Sequence, residues 1–318
     1  MNKDFLERTS NSWGLTIKQA ESLLNTQYYK SFRINPLKVR KSTLKNIKRH
    51  YKFVEPLPWL DNAYIVKDDS VKLSELPEFL SGEIIIQNPA SYIPVLELRS
   101  LQGDNILDLC AAPGGKSSHI AALSDNKACL ILNDTSRTRF FNMKKLMQNM
   151  GVAADYSLRD GRYVSKDMGK DVFDKILLDA PCSGEANLHP DNLGNWSLNT
   201  IKRLSGLQSK LLQEAFIMLK PGGRLVYSTC TMAPEENETV IDSLLRHNFN
   251  ADIITPNNYP VDKIPGITQW NGKNLDIRIS NTIRLLPSKT CKPFYIAIIT
   301  KTTAQEDDSY ERLKQRYL

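Results

Sequence analysis

Two cysteines stand where a sulfur nucleophile would be placed to work. Cys182 lies in D-A-P-C-S-G at 179–184 and Cys230 in S-T-C-T at 228–231, each just past an apolar run that reads as a buried strand. A thiolate attacks electrophilic carbon, but an ordinary thiol has a pKa of about 8.5 and needs electrostatic help, or deprotonation on attack, to react at neutral pH. The alternative is that both are small buried hydrophobes, the ordinary fate of a cysteine. A second chemical element lies upstream, in N-I-L-D-L-C-A-A-P-G-G-K at 105–116. Ile106, Leu107 and Leu109 read as a buried parallel strand, and Gly114 and Gly115 let the backbone come close to a ligand. The amides that open the following helix, Lys116 to Leu123, point back at that ligand. Such a turn either cradles a nucleotide-like group or is only a tight connection.

Three acids follow at comparable places. Asp134 comes after the apolar run 128–132, Asp160 precedes Gly161 after a run near 156–158, and Asp179 ends the run 173–178. In open α/β sheets ligands bind outside the carboxyl ends of the strands, and an acid about 20 residues past the glycine turn accepts hydrogen bonds from ribose hydroxyls. Asp134 has a local alternative, as the cap of the helix that starts near Ser136. Three carboxylates at strand ends are hard to explain as surface solvation alone.

The elements that must hold these residues alternate in type. Helices are expected at 136–150, closed by Gly151, at 204–219 and at 236–246, and the strand Arg224–Ser228 follows a Lys220-Pro221-Gly222-Gly223 turn. A last apolar run, Phe294–Thr300, completes the sheet. That alternation predicts an α/β fold with a doubly wound, mostly parallel sheet. Ahead of it the chain is different: Thr16–Leu24 reads as an amphipathic helix, Ser31–Ile34 as a strand stopped by Pro36, Ser42–Tyr51 as a helix, and Gly82–Ser91 as a strand running into the main domain. At 318 residues the chain exceeds the ~150 of one ordinary domain. Two domains are expected, at 1–95 and 96–318.

Composition bounds the setting. The chain is 41% hydrophobic and 24% charged, without a membrane span, repeat or low-complexity tract. Asp4 and Glu7, with no apolar block in the first fifteen residues, argue against a signal peptide, so the expected location is cytoplasmic. Five cysteines without CxxC spacing suggest reduced thiols and neither a disulfide framework nor a metal site; Cys129 and Cys291 read as packing residues. The net charge of +7 is unevenly spread. From Tyr28 to Lys52 there is no acid, while Lys30, Arg33, Lys38, Arg40, Lys41, Lys45, Lys48, Arg49 and Lys52 are interleaved with Tyr29, Phe32, His50 and Tyr51. Such a run is either a solvated face or a surface for nucleic-acid phosphates and exposed bases.

Taken together, Cys110 to Lys116, N-D at 133–134, D-G at 160–161, D-A-P-C-S-G, S-T-C-T and P-E-E-N at 234–237 resemble the Nol/Nop/Sun (NSUN) family of S-adenosylmethionine-dependent RNA cytosine-5 methyltransferases, most closely its bacterial ribosomal-RNA branch. The resemblance runs from about Phe32 to Lys301. It implies a Rossmann-like class I methyltransferase sheet with a smaller α+β N-terminal RNA-binding region. It implies S-adenosylmethionine held by Cys110, Ala111, Ala112, Pro113, Gly114, Gly115 and Lys116, with Asp134 at the ribose, Asp160 and Gly161 on the adenine side, and Arg139 and Asp179 nearby. It also implies an rRNA substrate, with tRNA as the alternative, for a monomer acting away from membranes.

The implied chemistry explains the residue types. Carbon 5 of cytosine is a poor nucleophile until a thiolate adds to carbon 6, giving an enamine-like adduct. By resemblance Cys230 is the attacker and Cys182 assists release, Asp179 pairs with the ring-nitrogen and amino edge of the base, and Lys116 contacts the base or orients that acid. The base must be unpaired or flipped. Relatives often carry a cation where Asn187-Leu188-His189-Pro190-Asp191 stands here, which puts the RNA contacts of that loop in question. Two other classes compete: a DNA cytosine-5 methyltransferase using Pro181-Cys182, which leaves S-T-C-T without a task, and a non-catalytic RNA-binding assembly factor, which leaves Asp179, Cys182 and Cys230 unexplained.

Overall fold

A computed structural model describes residues 3–67 and 72–303. The chain opens with two helices, α1 (Lys3–Trp13) and α2 (Ile17–Leu24). Thr16 and Gln19 close a capping box ahead of α2, the Gln19 amide donating to Thr16 Oγ1 at 3.2 Å and the Thr16 amide to Gln19 Oε1 at 2.8 Å. The sequence hides α1, because two polar residues, Thr9 and Ser12, interrupt its buried face between Phe5, Leu6 and Trp13. Both helices pack through Phe5, Trp13, Ala20 and Leu24 against Leu193, Trp196 and Met232, and that cluster contains no residue of the small sheet.

The small sheet comes next: β1 (Lys30–Ile34), α3 (Thr43–His50), β2 (Val54–Pro56), β3 (Ala63–Val66), α4 (Pro77–Leu80) and β4 (Ile84–Ile86). Its strands run β2-β3-β1-β4, all neighbours antiparallel, over Phe32, Ile34, Ile47, Tyr51, Val66 and Ile84. The expected long strand Gly82–Ser91 is shorter and belongs here. The Asn88 side chain accepts from the Ala90 amide at 3.1 Å and Pro89 has no N–H to offer a ladder, so the chain turns away into α5 (Ile93–Leu98).

The main sheet forms as expected, from β5 (Asn105–Asp108), α6 (Gly115–Leu123), β6 (Cys129–Asn133), α7 (Arg137–Asn149), β7 (Asp155–Ser157), α8 (Ser165–Met168), β8 (Phe173–Asp179), α9 (Leu198–Met218), β9 (Leu219–Thr229) and α10 (Glu238–His247). After them come β10 (Ala251–Ile254), β11 (Lys263–Pro265), the hairpin β12 (Gln269–Trp270) and β13 (Lys273–Asn274), β14 (Ile283–Leu285) and β15 (Phe294–Lys301). The order is β11-β14-β15-β9-β8-β5-β6-β7, with β10 on β15. Strands β5 to β9 are parallel, and β15 runs antiparallel to β9. Alternate strand residues fill opposite faces: Leu107, Ile176 and Tyr227 meet Leu212 and Phe216, while Ile106, Leu177 and Val226 meet Ile120, Met143 and Met147. Lys220–Gly223, expected as a turn before the strand, lies inside β9 and marks a register irregularity opposite Phe173–Lys175. Gly222 takes φ of +76° there, so the glycines kink a strand and do not end one. Among the described residues no helix is long and apolar enough to cross a membrane.

One buried ion pair ties the N-terminus to this body. Arg284 on β14 donates to Glu238 at 2.5 and 2.6 Å and to the Ser12 carbonyl at 2.5 Å, with both charged side chains fully buried. Removing one partner strands the other charge without water, so Glu238→Ala should lower stability by about 3–5 kcal/mol in denaturant titration. A loss under about 1 kcal/mol would show that water reaches the pair.

Candidate active site

Chain direction across the sheet reverses between β5 and β8, and the two loops leaving those strands lie side by side. The first carries Cys110–Lys116. Gly114 caps α6 with φ of +109°, a conformation that other residues rarely adopt, so the turn depends on glycine. The Ala111 amide donates to the Asn133 carbonyl at 2.8 Å and the Ala112 amide to Asp134 Oδ2 at 3.2 Å. Arg139 donates to the Ala112 carbonyl and lies 3.5 Å from Asp134. Cys110 packs against the core, and burial with the flanking carboxylates pushes its thiol far up, leaving it a neutral packing residue.

Asp134 is buried and its second oxygen accepts from the Ser136 amide at 2.9 Å. It is not the cap of α7, since Ser136 fills that role by accepting from the Arg139 amide. Asp160 is more open and is gripped by Arg162 through several hydrogen bonds, which hold its carboxyl below the usual range. Gly161 earns its place by packing: a Cβ there would fall 2.7 Å from Leu211 of α9 and 3.4 Å from Leu109. Sequence reasoning missed Asp108, the last residue of β5. Burial pushes its carboxyl up to about 7; Ser117 donates to one oxygen at 2.7 Å, and the other is buried with no partner among the described residues. S-adenosylmethionine, a cation bearing hydroxyls and an amino group, fits this donor set of Asp108, Asp134 and Asp179 around a glycine turn. Asp134→Ala should weaken its binding about 10- to 100-fold by calorimetry, the range for losing hydrogen bonds to a charged group. An unchanged affinity would leave Asp134 as a loop brace alone.

The second loop brings the chemistry. Lys116 Nζ donates to Asp179 Oδ2 at 2.6 Å, Ser228 Oγ to Asp179 Oδ1 at 2.7 Å, and the lysine ammonium lies 5.3 Å from the Phe294 ring. Parallel pairing of Asp179 with Ser228 carries the two cysteine loops off adjacent strand ends, and their sulfurs lie 3.3 Å apart. The pair is asymmetric. Either sulfur can donate in this contact; with the proton on Cys182 the bond lowers the Cys230 pKa and raises that of Cys182 well above the ordinary value. Burial and the Asp179 charge oppose ionisation of Cys230, and Lys116 favours it. Asn187 Nδ2 also points at the Cys230 sulfur, at 3.9 Å.

A buried polar scaffold fixes both loops, and only part of it was visible in advance. Glu236, within P-E-E-N, accepts from the Ser183 amide at 2.9 Å, the Ser183 hydroxyl and Gln208 Nε2 at 2.8 Å, while its carbonyl accepts from Tyr227. Asn237 joins Thr229 at 2.5 Å to the Thr231 carbonyl at 3.0 Å. Glu185, which carried no signal in the sequence, takes bonds from Trp196 at 2.7 Å, Thr231 at 2.9 Å and the Met232 amide at 2.8 Å.

The basic run 28–52 needs a correction. Arg33 is buried against α6, donating to Ser118 Oγ at 3.1 Å, while Phe32, on the opposite face of β1, and Tyr51, at the end of α3, are core residues of the small sheet, because β1 is covered on both faces. Lys38, Arg40, Lys41, Lys45, Lys48, Arg49 and Lys52 remain on the surface.

Residues 95–300 match the family described as 16S rRNA methyltransferase RsmB/F, and residues 1–89 match the N-terminal domain of 16S rRNA methyltransferase RsmF. A tRNA (cytosine(49)-C(5))-methyltransferase of Pyrococcus abyssi is 34% identical over 85% of this chain and 88% of its own length. Ribosomal RNA small subunit methyltransferase F of Aeromonas hydrophila is 38% identical over 68% of this chain but only 47% of its own, so the chain spans about half the length of such relatives. A crystal structure of a methyltransferase homolog protein from Pyrococcus horikoshii superposes with a TM-score of 0.76 at 29% identity, covering 95% of this chain and 100% of that one.

Proposed function

We propose, because this chain belongs to the 16S rRNA methyltransferase RsmB/F family, that it methylates carbon 5 of a cytosine in RNA through a covalent bond between Cys230 and the base. The observation that carries the reading is the cysteine pair, 3.3 Å apart and polarised toward a Cys230 thiolate, beside the Lys116–Asp179 pair. S-adenosylmethionine, when bound, supplies the methyl group on its sulfonium.

The chain's own residues do the rest. Cys230 forms a bond to carbon 6, Asp179 holds the ring-nitrogen and amino edge as electrons move toward carbon 5, and Lys116 keeps that carboxylate in place. Carbon 5 then takes the methyl group, its proton passes to solvent water, the electrons of that C–H bond re-form the 5,6 double bond, and the bond from carbon 6 to sulfur breaks to return the Cys230 thiolate. Cys182 hands its hydrogen bond to the departing sulfur. Use of Cys182 as the nucleophile, as in a DNA-type enzyme, runs against the shifts of the two thiols, which raise Cys182 and lower Cys230. The exposed cations from Lys38 to Lys52 hold RNA phosphates. The protein acts as a monomer in the cytoplasm, where its thiols stay reduced. Ribosomal RNA is the first substrate to try, and tRNA the second, since the tRNA relative is matched over 88% of its length.

Incubation with methyl-labelled S-adenosylmethionine and total RNA or DNA should place label in 5-methylcytidine of RNA only. Bisulfite sequencing of RNA from cells with and without the protein should then locate the position. Label in DNA, or cofactor binding with no turnover on any RNA, would sink the proposal.

A further inference from the structure

Lys292 stands in the loop between β14 and β15, at the mouth of the cysteine site. Its ammonium donates to Asn187 Oδ1 at 2.7 Å and lies 5.4 Å from the Tyr28 ring centre. Asn187 in turn directs its amide nitrogen at the Cys230 sulfur, so one asparagine touches both the lysine and the candidate nucleophile. Among the described residues Lys292 makes no ion pair, although it is half-buried and burial depresses its ammonium below the ordinary value. A Cys230 thiolate offsets part of that cost, and an incoming anion would supply a direct partner for the ammonium.

The space in front of it has the shape for such a partner. A groove of about 920 Å³ runs between the N-terminal region and the main domain, lined among others by Tyr28, Tyr29, Lys30, His189, Lys292 and one acid, Asp191. Its walls are stitched together beside Lys292: the Tyr29 amide donates to the Lys289 carbonyl at 2.8 Å and the Lys292 amide to Asn88 Oδ1 at 3.2 Å. The loop that closes the other side, 187–191, contains no lysine or arginine of its own. Asn187 joins this groove to the cysteine site, so a strand that places a base at Cys230 can continue along it.

We propose that Lys292, braced by Asn187 and the face of Tyr28, grips a backbone phosphate of the RNA strand next to the target cytosine. This rests on the RNA reading of the same site and adds the residue that anchors the strand there. Aromatic rings and asparagines around one cation suit an unpaired strand, whose phosphates are held by charge and whose bases lie on flat faces.

The test is binding of a short labelled oligocytidylate by anisotropy across a salt series, in the wild-type chain, Lys292→Met and Lys292→Arg. One lost phosphate contact on a single strand should lower the salt slope by about 0.7, raising Kd about eightfold near 50 mM salt and hardly at all near 1 M. Lys292→Arg should restore the slope. The pH profile of Cys230 alkylation should move only slightly, and upward, in Lys292→Met, because the ammonium and the thiolate attract each other. An unchanged slope overturns the proposal, as does a wild-type chain that shows no salt-dependent binding. An unchanged slope together with a Cys230 profile displaced to higher pH would make Lys292 a counter-ion of the thiolate. Formation of 5-methylcytidine in total RNA by the wild-type chain is followed in parallel. If it fails, the functional reading falls; if it succeeds while the slope stays put, only this inference does.

Discussion

Cys230→Ala should abolish both methylation and any covalent complex with RNA, a loss of at least about 10⁴-fold in turnover, while cofactor binding persists. Cys182→Ala should fail in another way. Attack and methyl transfer need only Cys230, but the sulfur departing from carbon 6 loses its hydrogen-bond donor 3.3 Å away. Elimination slows, and a protein–RNA adduct that survives denaturation accumulates. With labelled RNA and cofactor, a denaturing gel shows a shifted band for Cys182→Ala and none for Cys230→Ala. The reverse pattern would assign the nucleophile to D-A-P-C-S-G. The hydrogen bond also gives a thiol-labelling signature: removing Cys182 takes away the largest influence lowering the Cys230 pKa, so alkylation of Cys230 should need higher pH in Cys182→Ala.

Asp179→Asn should separate reactivity from catalysis. The carboxylate takes bonds from Lys116 and Ser228, and an amide in its place can neither hold the ammonium nor stabilise a protonated base. Turnover should drop about 10²- to 10⁴-fold, the range for a missing acid–base partner. Cofactor affinity should change far less than kcat. Yet the Asp179 charge raises the Cys230 pKa and Lys116 lowers it. Without the acid Cys230 should ionise more readily, so its alkylation profile moves to lower pH in the near-inactive variant. A profile that moves up instead would mean that Asp179 supports the thiolate through Lys116.

Both outcomes rest on residues that were legible in the chain itself. The βα alternation, the glycine turn and the two cysteine motifs are local, and strand ends in a parallel sheet must bring them to one edge. What stayed hidden depends on tertiary contacts. Asp108 looks like any strand-end residue until burial leaves one of its oxygens with no partner among the described residues. Glu185 and Gln208 act through bonds spanning 28 residues or more, Glu185 to Thr231 and Gln208 to Glu236, which no periodicity announces. The basic run was over-read for a related reason. A charge count does not know that β1 is covered on both faces, which buries Phe32 in the small sheet's core and Arg33 against α6.

The placement of α1 and α2 bears on how this chain could be re-engineered. Residues 1–89 match as one N-terminal domain, which suggests a head that could be exchanged at a single joint near residue 90. Yet Phe5 meets Trp196 edge-on at 5.7 Å, Trp13 donates to the Met232 carbonyl at 3.0 Å, and Arg8 pairs with Glu235 at 2.7 Å, all on the back of the loops that present the cysteines. In packing terms the first two helices belong to the catalytic body. The small sheet is a cassette inserted between them and α5, fastened at both ends, and a graft from a relative with another RNA preference has to be spliced at two seams, after Leu24 and before Ile93.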